Sequence, residues 1–299
     1  MEKTAIIILN YNGAEDTLAC VESIKTVGFP ADVIVVDNAS VDDSYSVLKT
    51  QLPENVVLLS SDVNLGYAGG NNIGIRYALG KGYPYICVLN NDTVATEDFI
   101  SPCLDKLEEN PDIAFIGPTI VNYSDGLVQS TGGNININRA YVDCKNVGIV
   151  YTSEPEMIQS DYIGGACMVF RREIAEQLGV IPENYFLFFE ETEWCYRAVK
   201  AGYRNICLNT VKLRHKGSAS IAKIGGLNEY LMTRNKIAFL RRNHPVKAVA
   251  FCIYLALCAK AFLATVLKGH KRMCWIRYYS HGWFKRVDLE KYPFIIIKE

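Results

Sequence analysis

A chain of 299 residues, 49% hydrophobic and 21% charged, is long enough for one large domain with an appendage and too apolar to be disordered. The formal net charge of −1 hides an uneven distribution: residues 212–286 hold sixteen Lys and Arg against the single acid Glu229, whereas residues 1–211 hold 28 acids against 13 Lys and Arg. That pattern excludes an evenly mixed surface and predicts an acidic body joined to a basic face for nucleic acid, phosphorylated substrates or anionic lipid.

AIIIL (5–9) is an apolar run of strand length that ends at Asn10-Tyr11-Asn12-Gly13. Residues 14–27 read as a helix, with Leu18, Val21, Ser23 and Ile24 near one face. VIVVD (33–37) is a second buried strand, followed by Asn38 and Ser40, which suit a turn and helix start. VVLLS (56–60) is a third. The stretch NLGYAGGNNIGIRYAL (64–79) begins as a Gly-rich loop and turns helical, and YICVL (85–89) is a fourth strand. Strands alternating with helices at this spacing predict a parallel sheet with helices on both faces.

Beyond about residue 110 the alternation loosens. IAFIG (113–117) and a Gly/Asn-rich stretch at 131–138 read as parts of a mixed sheet. Residues 162–179 read as loop, short strand and helix, and 191–204 as a helix with Gly202 near its C-terminus. Residues 248–267 are almost wholly apolar, interrupted by Lys260. Ten cysteines occur without a C-x-x-C pair, which predicts buried, reduced thiols in a cytosolic protein and no zinc site. The opening MEKTAIIILNYNG lacks the charged and long apolar regions of a signal peptide, so none is expected.

Three acidic segments carry the chemistry. VIVVDNAS ends a strand at Asp37, YICVLNNDT ends another at Asn90-Asn91-Asp92, and the aromatic run FLFFEETEW opens onto Glu190, Glu191 and Glu193. Residues just past the carboxyl ends of parallel strands line the ligand crevice of an α/β fold, so Asp37 and Asp92 are expected in one cleft. A carboxylate delivered later in the chain can serve there as a general base. Each acid also has a plainer reading: Asp37 suits a helix N-cap, and Glu190-Glu191 suit an acidic first turn. The glycines at 66, 69, 70 and 74 do not fit G-x-G-x-x-G in register and follow the third strand, which argues against a dehydrogenase. NYNGAED lacks the Gly/Arg/Lys loop that a nucleotidyltransferase needs after its first strand.

Taken in order, IIILNYNG, VIVVDNAS, NLGYAGGNNIGI, YICVLNNDT, GGACMVFRREI, YFLFFEETEWCYRAVKAGY, HKGSAS and Arg234-Asn235 span roughly residues 4–241. In this order the chain resembles glycosyltransferase family 2, inverting enzymes of the GT-A fold, and within it rhamnosyltransferase-like proteins of bacterial cell-surface polysaccharide synthesis. The resemblance implies a mostly parallel mixed sheet flanked by helices over 1–240; the basic, apolar residues 241–299 read as a C-terminal helical extension. It implies donor-binding roles for Asn10, Tyr11, Asn12, Asp37, Gly70, Asn72, Asn90, Asn91, Asp92, Gly165 and Arg234. Glu191 takes the place of the general base, with Glu190 beside it. Asn90-Asn91-Asp92 stands for the family's D-x-D variant and implies a divalent cation, Mg2+ or Mn2+, held by Asp92 and His215. Two departures stand out: Asn90 replaces the first acid, and Glu191 stands where Asp is usual. They keep open a non-catalytic nucleotide-sugar or glycan-binding protein. His215, beside Arg214 and Lys216, also reads as an ordinary surface histidine, and Trp194 as either an acceptor-stacking ring or core.

The implied function is transfer of a sugar from dTDP-L-rhamnose or a UDP-hexose to a glycan or lipid-linked glycan. Residues 248–267 are long enough to span a bilayer, but Lys260 at mid-length costs about 3 kcal/mol on insertion scales. Arg241, Arg242 and Lys247 precede them; Lys268, Lys271, Arg272 and Arg277 follow, interleaved with Trp275, Tyr278, Tyr279, Trp283 and Phe284. That pattern predicts peripheral contact with an anionic membrane on its cytoplasmic face, against a buried helix pair or a homo-oligomer contact. No RNA-binding module signature accompanies the basic residues, so nucleic acid is not an expected partner.

Overall fold

The computed structural model describes residues 3–217, 226–268 and 273–297. Residues 218–220 of the HKGSAS segment and the basic pair Lys271-Arg272 lie outside the described residues. The N-terminal half follows the sequence reading closely: β1 (Thr4–Asn10), α1 (Ala14–Val27), β2 (Ala31–Asp37), α2 (Ser44–Gln51), β3 (Val57–Ser60), α3 (Gly66–Gly80) and β4 (Tyr85–Asn90). β5 (Thr93–Val94), α4 (Ile100–Glu109), β6 (Ile113–Asn122), β7 (Val128–Ser130), β8 (Gly133–Asn136), β9 (Tyr141–Cys144), β10 (Met157–Ser160) and β11 (Cys167–Arg171) come next. α5 (Arg172–Leu178), α6 (Glu190–Lys200) and β12 (Arg204–His215) complete the sheet domain.

The sheet runs β10-β12-β6-β11-β4-β1-β2-β3, with β5 on β12 and β7 on β6. β1, β2, β3 and β4 are parallel, and β11 lies antiparallel between β4 and β6. The sheet is thus mixed, as the family resemblance implies, with its parallel half supplying the strand ends that matter. Alternating side chains split the core into two layers. Ile6, Ile8, Val33 and Val35 pack with α1 and α4, whereas Ala5, Ile7, Ile34 and Val36 pack with α3 and α6. Register places Asn10 opposite Asp37 and Leu9 opposite Asn90, so three polar strand ends share one edge.

Two elements depart from the sequence reading. The helix expected over 191–204 stops at Lys200; Gly202 turns the chain at φ 92 and β12 begins at Arg204. β6 continues past Gly117 through Pro118 to Asn122. Pro118 is accommodated at a bulge, where β12 register jumps from Leu208 to Lys212. Of the ten cysteines, all free, six are buried as expected, but Cys144 and Cys252 are exposed.

The chain ends in α7 (Leu227–Asn243), α8 (Lys247–Lys268) and α9 (Met273–Trp283). Ile237, Leu240, Ala250, Tyr254, Ala261 and Tyr279 form their shared core. α7 crosses the boundary expected at 240. Its other face joins Leu227, Tyr230 and Leu231 to Phe186, Tyr292 and Ile295. α8 is the one helix among the described residues long and apolar enough to cross a membrane, with mean hydropathy 2.1 over Lys247–Leu267.

Candidate active site

At the first strand ends, Asp37 is a hub. Its Oδ1 accepts from Asn10 Nδ2 at 2.7 Å and Ser40 Oγ at 2.6 Å, and its Oδ2 from the Ser40 amide at 3.1 Å. Asp37 does not cap a helix, since α2 starts at Ser44. Asn12 receives the Val41 amide on Oδ1 at 2.8 Å and gives its own amide to Ser40 Oγ at 2.9 Å. Asn12 and Ala39 take left-handed backbone, φ 52 and 59, so the two strand-end turns interlock tightly. Tyr11 is half-buried beside them. Ser40 is the residue here that the sequence reading gave only a turn role.

The second cluster lies where β4 turns into β5. β5 pairs with the end of β12, placing Thr93 opposite His215, and the Lys216 amide donates to the Asp92 carbonyl at 2.9 Å. These backbone bonds bring His215 Nε2 within 3.0 Å of Asp92 Oδ1 and 3.5 Å of Asn90 Nδ2. The ring's other nitrogen, Nδ1, donates to Gln129 Oε1 at 2.6 Å, which directs Nε2 at Asp92. His215 is therefore not a surface histidine; it is buried to 8% exposure. Gln129, on β7, has no sequence signal pointing to it.

No group of three or more His, Cys, Asp and Glu suited to a metal occurs among the described residues. Asp92 and His215 nevertheless fit a divalent ion that takes its remaining ligands from substrate oxygens and water, the usual partial protein shell of Mg2+. Asn90 lies beside them, its Nδ2 3.5 Å from His215 Nε2, and could add a neutral amide oxygen only with that amide turned over.

The third cluster is the approach to α6. Phe186, Phe188 and Phe189 all hold left-handed backbone, φ 67, 67 and 78, at a cost of about 1–3 kcal/mol each. Glu190 and Glu191 follow at once, and the Oε2 of each is enclosed without a hydrogen-bond partner. Burial pushes Glu190 well above the ordinary carboxylate range, with the Glu191 charge adding to it. Burial likewise pushes Glu191 up to about 7. Tyr67 bridges this pair to the β4 edge. Its hydroxyl donates to Gly165 O at 2.6 Å, Asn90 N donates to Ala166 O at 3.0 Å, and its own amide donates to Phe186 O at 2.8 Å. Burial and then the Glu191 and Glu190 charges hold the Tyr67 hydroxyl protonated. A Cβ at Gly165 would lie 2.9 Å from the Tyr67 hydroxyl, so glycine permits this approach. Tyr67 sits inside NLGYAGGNNIGI, but an aromatic in a Gly-rich stretch does not announce this role.

Several residues expected at the donor make contacts within the protein instead. Asn72 is fully buried and its amide is spent: Nδ2 donates to Ile181 O at 2.8 Å and Glu183 Oε1 at 2.9 Å, and Oδ1 accepts from Ile181 N at 3.0 Å. It locks α3 to the 181–183 segment, with both amide hydrogens used there. Gly70 serves packing, since a Cβ there would lie 2.4 Å from a Leu9 methyl. Asn91 turns away to Thr17 Oγ1 at 3.1 Å and Gly13 O at 3.4 Å, bracing the β1–α1 turn. Arg234 is nearly buried; its guanidinium donates to Arg286 O at 3.0 Å and Asn235 Oδ1 at 2.7 Å, inside the C-terminal unit. Trp194 is core, packed on Phe115 and Phe170 with its indole N–H on Gly179 O at 2.8 Å, and cannot stack on a sugar.

Against known proteins, residues 5–179 match the family model described as glycosyl transferase family 2. The chain is 29% identical over 206 residues to a low-salt glycan biosynthesis hexosyltransferase of Haloferax volcanii, covering 66% of this chain and 62% of that one. It is 28% identical to a dTDP-rhamnosyl transferase of Shigella flexneri, covering 71% of each. Identity to the N-acetylglucosaminyl-diphospho-decaprenol L-rhamnosyltransferase of Mycobacterium tuberculosis is 25%, over 65% of this chain and 69% of that one. The chain therefore spans less than two thirds of the Haloferax protein. In fold it is similar to GalNAc-T7 with UDP, GalNAc and Mn2+ (TM-score 0.62, 13% identity, 98% of this chain, 58% of that). It is also similar to a mannosyltransferase from Pyrobaculum calidifontis with GDP-Man and Mn2+ (TM-score 0.55, 17% identity, 93% and 84%).

Proposed function

The chain belongs to glycosyl transferase family 2, and on that premise we propose that it moves one sugar, with inversion, from a nucleoside-diphosphate donor to a hydroxyl of a glycan acceptor. The observation that carries this is Glu191: a carboxyl with one oxygen, Oε2, enclosed without a partner, and pushed up to about 7 by burial. A base poised near the working pH is what proton removal from a sugar hydroxyl requires. The acceptor oxygen attacks the anomeric carbon as its proton passes to Glu191. The bond from that carbon to the diphosphate oxygen breaks, and the nucleoside diphosphate leaves with the electron pair. Asp37, Asn10 and Asn12 would receive the nucleoside. Asp92 and His215, with Asn90, would hold a divalent ion, whose chemistry is to neutralise the departing diphosphate. Family membership disfavours the non-catalytic alternative that Asn90 and Glu191 leave open.

The donor proposed is dTDP-L-rhamnose or a UDP-hexose, after the relatives named for rhamnosyl and hexosyl transfer. The acceptor proposed is a lipid-linked glycan at the cytoplasmic face of an anionic membrane. α8 supports that placement. Tyr254 and Ala261 pack inward, whereas Leu255, Phe262, Leu263, Val266 and Leu267 remain 48–75% exposed on its outer side. A helix apolar on both faces needs a second apolar partner. The basic residues around it fit an anionic lipid surface better than a second like-charged copy.

The test is a thermal-shift and turnover panel of nucleotide sugars with Mn2+, with the anomeric configuration of the product read by NMR. Transfer with inversion from one donor supports the proposal. Retention of configuration, or no turnover of any nucleotide sugar, refutes it.

A further inference from the structure

One fully buried side chain ties the C-terminal helices to the loop that delivers Glu190 and Glu191. Asn235 of α7 donates from Nδ2 to the Leu187 carbonyl at 2.7 Å and to the Phe188 carbonyl at 2.9 Å. Its Oδ1 accepts from Arg234 Nη1 at 2.7 Å, and Arg234 Nε donates to Arg286 O at 3.0 Å. Two carbonyls on one side and a guanidinium on the other leave a single orientation for the amide. The carbonyls it holds belong to the run in which Phe186, Phe188 and Phe189 are left-handed. Bulky residues keep such backbone only where the surroundings over-determine it. Tyr67 N on Phe186 O, at 2.8 Å, and the Phe294 ring, 6.0 Å from that of Phe186, supply the rest of the clamp.

We propose that Asn235 is a positioning residue for sugar transfer: it clamps the Leu187 and Phe188 peptides so that the first turn of α6 presents Glu191 to the acceptor hydroxyl. The C-terminal unit is then part of the transfer machinery and not only an attachment. The same α7 that carries Asn235 packs on α8, so the lipid-facing helix and the base loop share one rigid support. This inference rests on the reading of Glu191 as the base. Burial and the Glu191 and Thr192 amides set the Glu191 carboxyl, and the titratable groups that feel its charge, Glu190, Tyr67, Tyr162 and Cys195, do not lie on α7. A change in the Glu191 titration on neutral substitution of Asn235 would therefore report displacement of the loop, not loss of a charge.

The experiment uses the full chain with Asn235→Leu, which keeps the branched heavy-atom shape and loses both donors, and Asn235→Ser, which keeps one. The Glu191 carboxyl is followed by 13C NMR titration of Glu-labelled protein, assigned with Glu191→Gln, and turnover is measured with the donor the panel identifies. Expected are a midpoint displaced by more than about half a pH unit, a kcat loss of about 10–100-fold and a nearly unchanged donor KM, with Ser falling between Leu and wild type. If the Leu variant does not fold, the Ser variant decides. An unmoved midpoint, or a moved midpoint with wild-type kcat, overturns the inference. Full turnover by Glu191→Gln would instead refute the base assignment and leave the clamp as a structural contact only.

Discussion

Glu193 and Arg242 are joined by two hydrogen bonds of 3.0 Å each, one to either carboxylate oxygen, between the first turn of α6 and the last turn of α7. Tyr185, Arg197 and Asn243 reach the same carboxylate. Two residues earlier on the same helix, Glu191 has an enclosed oxygen with no partner. Two acids on one turn are thus driven in opposite directions by their surroundings, and the proposed base is the one whose carboxyl is raised.

Glu191→Gln should lower kcat by about 10²–10⁴-fold while leaving nucleotide binding intact. Wild-type activity should fall as pH drops through about 7, because the carboxylate is the competent form. The folded-state pKa lies above the ordinary 4.5, so the protein carries no penalty from this group below about 4.5 and the whole of it above about 7. At about 1.4 kcal/mol per unit that penalty is at most about 3.5 kcal/mol. The Gln variant should therefore melt a few degrees higher than wild type at pH 8, with no gain at pH 4. A variant that melts lower at pH 8 contradicts the enclosed-carboxyl account.

Glu193→Gln should do the reverse. Burial alone would raise this acid, but the Arg242 and Tyr185 hydrogen bonds and the Arg242 and Arg197 charges outweigh it and hold the carboxyl at about 2. Its contribution is present above the ordinary 4.5 and lost as pH falls through about 2. Removing one partner of a buried pair costs about 3–5 kcal/mol. Denaturant titration at pH 7 should show that loss, and any remaining activity should keep its midpoint near 7. A stable Gln variant with a shifted activity profile would move the base assignment to Glu193.

Asp92→Ala should weaken Mn2+ binding and remove activity, and added Mn2+ should not restore it. Gln129→Leu should weaken Mn2+ binding about 10–100-fold by freeing the His215 ring to turn. Calorimetric titration of Mn2+ into protein saturated with UDP or dTDP measures this without turnover. Equal Mn2+ affinity in wild type and the Leu variant would show that Gln129 does not orient the ring.

Full-length protein should sediment with vesicles containing anionic lipid, and less so as salt rises. Replacing Leu263 and Val266, 53% and 62% exposed, by Gln should release it without lowering the melting temperature. Wild-type sedimentation by that variant, or binding to neutral vesicles alone, would point to another use of the α8 face.

Much of the fold was legible because it is written locally. Apolar runs of strand length alternate with helical periodicity up to Asn90, and each parallel strand ends in the polar residue that caps the cleft. The order of the short motifs identified the family, and the acids at 37, 92, 190 and 191 stood out by residue type. The second half was harder. β12 follows a glycine in a segment that reads as helix, and Pro118 masks the continuation of β6 because the bulge that tolerates it lies on the partner strand. Tertiary structure alone decided which polar residues remain available to a ligand. Asn72 looks like a donor contact until Ile181 and Glu183, 109 and 111 positions away, take both of its amide hydrogens. Arg234 looks like a phosphate-binding side chain until Arg286 and Asn235 take its guanidinium. His215 looks like a surface residue until β5 pairing sets it on Asp92 and Gln129 fixes its ring. Residue type and local periodicity depend on neighbours within one turn or strand. Burial and hydrogen-bond satisfaction depend on groups that meet only when the sheet closes and the C-terminal helices dock. For that reason the sequence by itself determined the chemistry available to the protein, and packing determined which side chains are left to perform it.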